Sequence, residues 1–244
     1  MIELRVVDDA PALARTAATE IATFIGERPD AVLLAATGNT PMGCYAELAR
    51  LRESGDLDAS RTRVVQLDDY LGLEDGDPRS LFRWMERALL IPLGIERERT
   101  LPIMLDGDED PELACRAYEA QVEALGGIDL AILGLGRNGH LGFNEPPSSA
   151  DAPTRVVSLT PESLESNAAY WSEGHVPERA VTAGMSVILA ARRVLVLVSG
   201  AAKAPVLARL MESGPDSWLP ASHLHLHPDA SILADREAAP TTDA

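Results

Sequence analysis

Hydrophobic and polar positions switch between two periods along the chain, and this alternation predicts an α/β architecture. Apolar runs typical of strands occupy residues 2–7, 31–36, 62–67, 128–133, 193–200 and 231–234. Helical spacing of apolar residues covers 11–25, a stretch that follows TGNTP and ends near 51, and then 80–90, 111–124 and 203–212. The run AVLLAA at 31–36 is apolar throughout, as in a parallel strand covered on both faces.

Strands that alternate with helices of about 10–15 residues are typical of βαβ units. We therefore predict an α/β fold with a single-domain, open, mainly parallel twisted sheet and helices on both faces, Rossmann-like but without a dinucleotide site. One domain over residues 1–235 accounts for all the elements, with no internal repeat or linker. The composition of EAAPTTDA predicts a disordered tail over 236–244.

Three predicted strands end in loops rich in polar residues. The loops read TGNTP at 37–41, DDY at 68–70 and GLGRNGHLGFNEP at 134–146. Ligands of open α/β sheets bind beyond the carboxyl ends of the strands, so the three loops are expected to build one site. The third loop contains G-x-G-x-x-G, but three prolines and a further glycine follow it, and a dinucleotide fingerprint needs a helix there. A nucleotide site is therefore rejected.

Candidate chemistry lies in each of these loops. His140 and Glu145, with Asn138 beside them, suit proton transfer, although a loop histidine held by a structural partner is an open alternative. The pair Asp68 and Asp69 suits a base next to a second charge, or else a helix cap or turn. In TGNTP, Thr40 is predicted to be the N-cap of a helix that has Pro41 at its first position. The free N–H groups of this helix start suit an anion, and an ordinary helix start is the open alternative.

Charge and composition narrow the function classes. The net charge of −17 argues against nucleic acid or an anionic membrane as partner, because both repel an acidic surface. No uncharged apolar run approaches the roughly 20 residues of a spanning helix, and MIELRVVDDAPALA lacks the pattern of a signal peptide. Cys44 and Cys115 are typical of small core residues in a reducing cytosol, so a cytoplasmic protein is expected. Among 21 basic residues only Lys203 is a lysine.

Together the motifs resemble the glucosamine-6-phosphate deaminase (isomerase) family over nearly the whole chain. The segments that carry the resemblance are ATGNTPMGCYAEL, VVQLDDYLGL, ILGLGRNGHLGFNEPPSS, TRVVSLT, AVTAGMSVILAA, VLVLVSGAAKA and LHLHPDASILAD. The resemblance implies an enzyme, a hydrolase and isomerase of amino-sugar metabolism, that converts glucosamine-6-phosphate and water to fructose-6-phosphate and ammonia without a cofactor or metal. It further implies a small-molecule sugar phosphate as partner and a monomer or small homo-oligomer. The short C-terminus resembles the unregulated members.

The resemblance also implies roles for individual residues. Asp68 matches the base that moves a proton from C2 to C1 of the opened sugar, and His140 matches the group that opens the ring, supported by Glu145 and Asn138. The residues implied to bind substrate or phosphate are Gly38, Asn39, Thr40, Asp69 and Lys203.

One position departs from the family pattern. Ala169 stands where members of the family usually carry an arginine that grips the phosphate. Arg137 or Arg155 is a candidate replacement, and a related sugar phosphate is the alternative substrate. Two further functions are weaker: a 6-phosphogluconolactonase, whose motifs differ from GHLGFNEP and LDDY, and a non-catalytic sugar-phosphate sensor. The three histidines of ASHLHLHP, at 223, 225 and 227, are expected to lie in an ordinary strand or loop rather than at a metal.

Overall fold

A computed structural model describes residues 2–73, 76–103, 110–168 and 176–239. Within these ranges the strands are β1 (Glu3–Val7), β2 (Val32–Ala35), β3 (Arg63–Gln66), β4 (Asp68–Tyr70), β5 (Thr100–Leu101), β6 (Leu130–Gly134), β7 (Arg155–Ser158), β8 (Arg179–Thr182), β9 (Arg193–Val198) and β10 (Ala230–Asp235).

The helices are α1 (Ala10–Glu27), α2 (Asn39–Glu53), α3 (Leu81–Met85), α4 (Ile91–Leu93), α5 (Pro111–Ala124), α6 (Pro161–Ala168), α7 (Met185–Leu189) and α8 (Ala204–Glu212). A π-helical segment, Glu86–Leu90, joins α3 to α4, and short 3₁₀ turns lie at Arg97–Arg99, Ala201–Lys203 and Pro220–Leu226. No helix in these ranges is both long and apolar enough to cross a membrane.

The main sheet has seven parallel strands in the order β1-β10-β9-β6-β2-β3-β5. The inner strand β2 is buried on both faces, because Val32 and Leu34 pack into one apolar core and Leu33 and Ala35 into the other. Helices cover both faces, and their packing explains why the strand sequence is continuously apolar. The predicted fold class, a mainly parallel sheet between helices, is confirmed.

A second, antiparallel sheet of three strands, in the order β4-β8-β7, was not predicted. A single residue, Leu67, separates β3 of the main sheet from β4 of the small sheet. Asp68 pairs with Thr182 in β8, and the Leu67 carbonyl accepts a hydrogen bond from Ala183 N at 2.8 Å. The small sheet therefore stands directly over the carboxyl end of β3, where it places Asp68.

The histidine-rich segment forms a 3₁₀ turn rather than a strand. The three rings donate through Nε2 to three separate carbonyls, those of Ser148, Leu210 and Ala191. Within the described ranges no cluster of three or more His, Cys, Asp or Glu residues has a metal-binding arrangement. At the chain end, residues 236–239 form a turn in which Ala238 is buried, and 240–244 lie outside the described residues.

At the amino end of the central strand β6, Asp129 joins three parts of the chain. Its carboxylate accepts from Arg28 Nη1 at 2.5 Å, from Val32 N at 2.9 Å and from Arg192 Nη1. Burial raises the pKa of Asp129, but the bonds from Val32, Arg192 and Arg28 outweigh burial and hold this pKa below its ordinary value. The carboxylate therefore stabilises the fold at neutral pH, and this contribution disappears as the pH falls through the lowered pKa.

Asp129→Asn is expected to lower the free energy of unfolding by about 1–3 kcal/mol, since both arginines are half-exposed and solvent weakens their pairs. Urea unfolding at neutral pH measures the loss, which shrinks in acid. Asp30→Asn is the matched control, because its bond to Arg61 is exposed and contributes little. Equal effects of the two substitutions would contradict the prediction.

Candidate active site

The three loops predicted to meet do meet, around a cavity of about 160 Å³ at the carboxyl end of the main sheet. The sequence-predicted residues in its wall are Gly38, Asn39, Thr40, Asp68, Arg137, His140 and Lys203. Ser166 and Asn167 of α6 close part of another side. Asn138 and Glu145 lie behind His140, where they contact it rather than the cavity.

His140 is held by a polar cluster on one side of its ring. Its Nδ1 lies 3.3 Å from Glu145 Oε2 and 3.4 Å from Ser163 Oγ. The same carboxylate oxygen accepts from Asn138 Nδ2 at 2.6 Å and from Thr160 Oγ1 at 3.3 Å. The sequence predicted Asn138 and Glu145 as partners of His140, whereas Thr160 and Ser163, which precede and begin α6, were missed.

The hydrogen bonds of this cluster indicate which ring nitrogen of His140 carries the proton. Burial raises the pKa of Glu145, but the hydrogen bond and charge of His140, with bonds from Ser163 and Asn138, lower it to about 2. An ionised carboxylate only accepts hydrogen bonds, so a neutral ring carries its proton on Nδ1. Nε2 is then free of a proton and is available as a base at the cavity.

Two glycines allow the third loop to fold this closely. A Cβ at residue 136 would lie 2.2 Å from the His140 ring, so Gly136 is required beneath the imidazole. Gly142 has φ of +59°, in the left-handed region, and a Cβ there would meet Thr182 Oγ1 at 2.9 Å and Asp68 Oδ2 at 3.3 Å. Gly136 of the G-x-G-x-x-G match and Gly142, which follows the match, thus allow close packing against His140 and Asp68.

Asp68 and Asp69 have different surroundings although they are adjacent. Asp68 lines the cavity and is 5% exposed. Burial, followed by the charge of Asp69, raises the pKa of the Asp68 carboxyl well above its ordinary value. A carboxylate with a raised pKa is a stronger base, which suits proton abstraction from carbon.

Asp69, predicted to bind substrate, does not contribute to the described cavity wall. Its carboxylate instead caps the N-terminus of α3 and accepts a hydrogen bond from the backbone of β4. The donors are Gln66 Nε2, Ser80 Oγ and the backbone N–H groups of Tyr70, Leu81 and Phe82. The alternative of a helix cap, which the sequence left open, therefore describes Asp69.

The first loop ends at the N-terminus of α2. The predicted N-cap at Thr40 is wrong: Gly38 is the N-cap, because the helix begins at Asn39. Gly38 has no side chain to cap the helix, so the first N–H groups of α2 remain available to an anion at the cavity. Thr37, missed by the sequence analysis, also lines the cavity, and its buried hydroxyl has no hydrogen-bond partner among the described residues.

Lys203 and Arg137 bring positive charge to the same cavity. Burial, followed by the charge of Arg137, lowers the pKa of Lys203 to about 8, against the opposing effect of Glu162. Within the described ranges neither cation has a carboxylate within 4.0 Å. The turn before Lys203 is fixed by Asp235, which accepts from Ser199 Oγ at 2.5 Å and Gly200 N at 3.1 Å.

The two candidate replacements for the missing arginine differ in position. Arg137 lines the cavity. Arg155 is not among the described residues of the cavity wall, and its guanidinium donates hydrogen bonds to Asn144, Ser148 and Pro153. Ala169 lies outside the described residues. An apolar wall that the sequence did not predict completes the cavity, from Tyr70, Leu81, Trp84 and Phe143.

Comparisons with known proteins find relatives over nearly the whole chain. The sequence matches the family of glucosamine-6-phosphate isomerases/6-phosphogluconolactonase over residues 8–232. The glucosamine-6-phosphate deaminase of Geobacillus sp. (strain WCH70) is 41% identical over 227 residues, 93% of this chain and 90% of that protein. A solved monomeric glucosamine-6-phosphate deaminase superimposes with a TM-score of 0.93 at 39% identity, over 97% of this chain and 98% of that one.

A 6-phosphogluconolactonase from Leishmania guyanensis has a TM-score of 0.75 at 20% identity, with all of both chains covered. At this identity the likeness shows a shared fold and does not separate the two activities. The family match spans most of the chain and contains all the cavity residues named above. The chain belongs to the glucosamine-6-phosphate isomerase/6-phosphogluconolactonase family.

Proposed function

We propose that the protein converts glucosamine-6-phosphate and water to fructose-6-phosphate and ammonia. The observation that carries this proposal is the meeting, in one cavity, of a buried carboxylate, a histidine with an oriented free nitrogen and two cations that have no carboxylate partner among the described residues. The Geobacillus relative, which is 41% identical, is a glucosamine-6-phosphate deaminase, and this similarity supports the same reaction for the present chain.

Ring opening is assigned to His140. The pyranose opens when the C1 hydroxyl loses its proton, the C1–O5 bond breaks and O5 gains a proton. Nε2 of His140 accepts the first proton and returns one to O5, while Glu145 stabilises the imidazolium that forms in between. Asn138 holds the Glu145 carboxylate in place.

Proton transfer between carbons is assigned to Asp68. Its carboxylate removes the proton from C2 of the open aldehyde, which gives an enolamine, and the same group returns the proton to C1. A proton passes from the amino group to O1, so the product is an imine at C2 next to an alcohol at C1. Water adds to this imine and ammonia leaves, so the isomerisation ends in net hydrolysis of the C–N bond. These steps use acid–base groups only, as expected for an enzyme without a cofactor.

The phosphate is assigned to the cationic side of the cavity. The N-terminal turn of α2, at Gly38, Asn39 and Thr40, offers N–H groups, and Lys203 and Arg137 add positive charge. Arg137 is proposed to supply the phosphate contact that the family resemblance assigns to an arginine at the position of Ala169. The proposed form is a cytoplasmic monomer, supported by two buried free thiols and by the monomeric neighbour.

Ammonia release from glucosamine-6-phosphate tests the function directly. Galactosamine-6-phosphate, unphosphorylated glucosamine and 6-phosphogluconolactone serve as parallel substrates, and lactone consumption is followed separately. Ammonia release is expected to be robust with glucosamine-6-phosphate and much slower with the other two amino sugars. Consumption of the lactone without ammonia release would favour the hydrolase of the same fold, and release from another sugar phosphate would point to a changed specificity.

A further inference from the structure

Arg155 is a half-buried cation that is bound by neutral groups. Its guanidinium donates to Asn144 Oδ1 and Ser148 Oγ at 2.8 Å each, and to Pro153 O at 3.1 Å. No carboxylate of the described ranges lies within 4.0 Å of it. The planar fork thus directs two of these three hydrogen bonds at one short segment of chain.

That segment, residues 144–148, carries Glu145. Ser148 Oγ donates onward to Glu145 O at 2.5 Å. Asn144 is fully buried and donates to Leu141 O at 3.0 Å and Ala183 O at 2.8 Å. Arg155 therefore bridges the residue before Glu145 to the third residue after it and fixes the backbone that carries the carboxylate.

The carboxylate of Glu145 depends on this backbone for its position. All its hydrogen bonds among the described residues reach Oε2, whereas Oε1 is buried without a partner there. The distance from Oε2 to His140 Nδ1, at 3.3 Å, already lies at the long end of the hydrogen-bond range. A shift of a few tenths of an ångström would therefore break the contact that orients the imidazole.

We propose that Arg155 is a positioning residue for ring opening, which holds residues 144–148 so that Glu145 stays within hydrogen-bond reach of His140. The inference rests on the proposed function for the roles of His140 and Glu145. A lysine at 155 would keep the charge, but a single ammonium does not reproduce the fork that reaches both Asn144 and Ser148.

A mutant cycle separates this role from general loss of structure. Arg155→Met is expected to lower kcat on glucosamine-6-phosphate by about 10- to 100-fold with little change in KM, as misplacement of a catalytic group does. In a Glu145→Gln background the same substitution is expected to change kcat less than about twofold, because residues that act as one unit are not additive. Equal losses in both backgrounds would overturn the proposal.

Arg116→Met is the matched control, since Arg116 is an exposed arginine of α5 paired with Glu112, and its activity is expected to stay at the native level. Arg155→Lys keeps the charge and most of the aliphatic stem, and it is expected to fold while showing the same loss of kcat. Recovery of native kcat in Arg155→Lys would show that charge rather than bridging geometry matters, and would overturn the proposal.

A spectroscopic readout does not depend on turnover. In protein with ¹⁵N-labelled histidine, the His140 signals, assigned by their loss in His140→Gln, are expected to report the proton on Nδ1. In Arg155→Met and Arg155→Lys they are expected to move toward a mixture of the two tautomers. Unchanged signals in both variants would overturn the positioning role. If the native protein releases no ammonia, the proposed function fails and this comparison still decides the role of Arg155.

Discussion

Asp68→Asn is expected to abolish ammonia release while the protein remains folded and continues to bind glucosamine-6-phosphate. Asp68 is the one carboxylate among the described residues that line the cavity, so no other acidic group there replaces it. Loss of a general base typically costs about 10²–10⁴-fold in rate. Steady-state ammonia release measures the loss, and calorimetry with glucosamine-6-phosphate checks that binding survives.

The same substitution is expected to stabilise the protein. Because burial and the Asp69 charge raise the pKa of Asp68 in the folded state, the native protein retains a proton that the unfolded chain releases. Stability therefore falls as the pH rises from the ordinary carboxyl value toward the raised pKa, and above it the cost is constant. Asparagine avoids this cost, so the gain in Tm is expected at neutral pH, at about 2–4 °C per kcal/mol for a chain of this size, and not in acid.

Asp69→Asn is the matched control for this experiment. Its carboxylate accepts hydrogen bonds from side chains and from the first N–H groups of α3, so its removal is expected to lower Tm. Opposite signs for two adjacent carboxylates would separate a residue kept for chemistry from one kept for structure. Residual turnover near the native rate in Asp68→Asn would show that another group moves the proton.

The main sheet was predictable because its inner strands are buried on both faces. The run AVLLAA contains no polar residue that would favour a different structure, and Pro and Gly lie near its two ends. The small sheet was not predictable in the same way, because β4 consists of Asp68, Asp69 and Tyr70, which resemble a polar loop. The strand β4 is set by pairing with β8, more than a hundred residues away, rather than by local propensity.

The residues of the candidate site likewise divide into those that the sequence could predict and those that it could not. His140, Glu145 and Asn138 lie within one loop, so sequence proximity and family likeness were enough to group them. Thr160 precedes a proline, which signals a helix start, but its contact with Glu145 depends on how α6 packs. Asp69 could be assigned to helix capping only after the start of α3 was placed beside it.

Lys203→Met is expected to raise KM for glucosamine-6-phosphate by about 10- to 100-fold, because a charged hydrogen bond contributes about 1.5–3 kcal/mol. The kcat is expected to change less, since the phosphate is remote from the carbons that react. For unphosphorylated glucosamine, kcat/KM is expected to be unaffected by the substitution. Arg209→Met, on the exposed side of the neighbouring helix α8, serves as control.

The pH dependence of KM tests the assignment of this charge. A sugar phosphate carries its second negative charge above about pH 6, and Lys203, whose lowered pKa is about 8, loses its charge above that value. Tight binding is therefore expected between these limits, with KM rising at higher pH as the lysine is deprotonated. Lys203→Arg is expected to remove the alkaline rise, because arginine stays protonated. An equal loss of kcat/KM for glucosamine and its phosphate in Lys203→Met would instead place Lys203 in the chemistry or the fold.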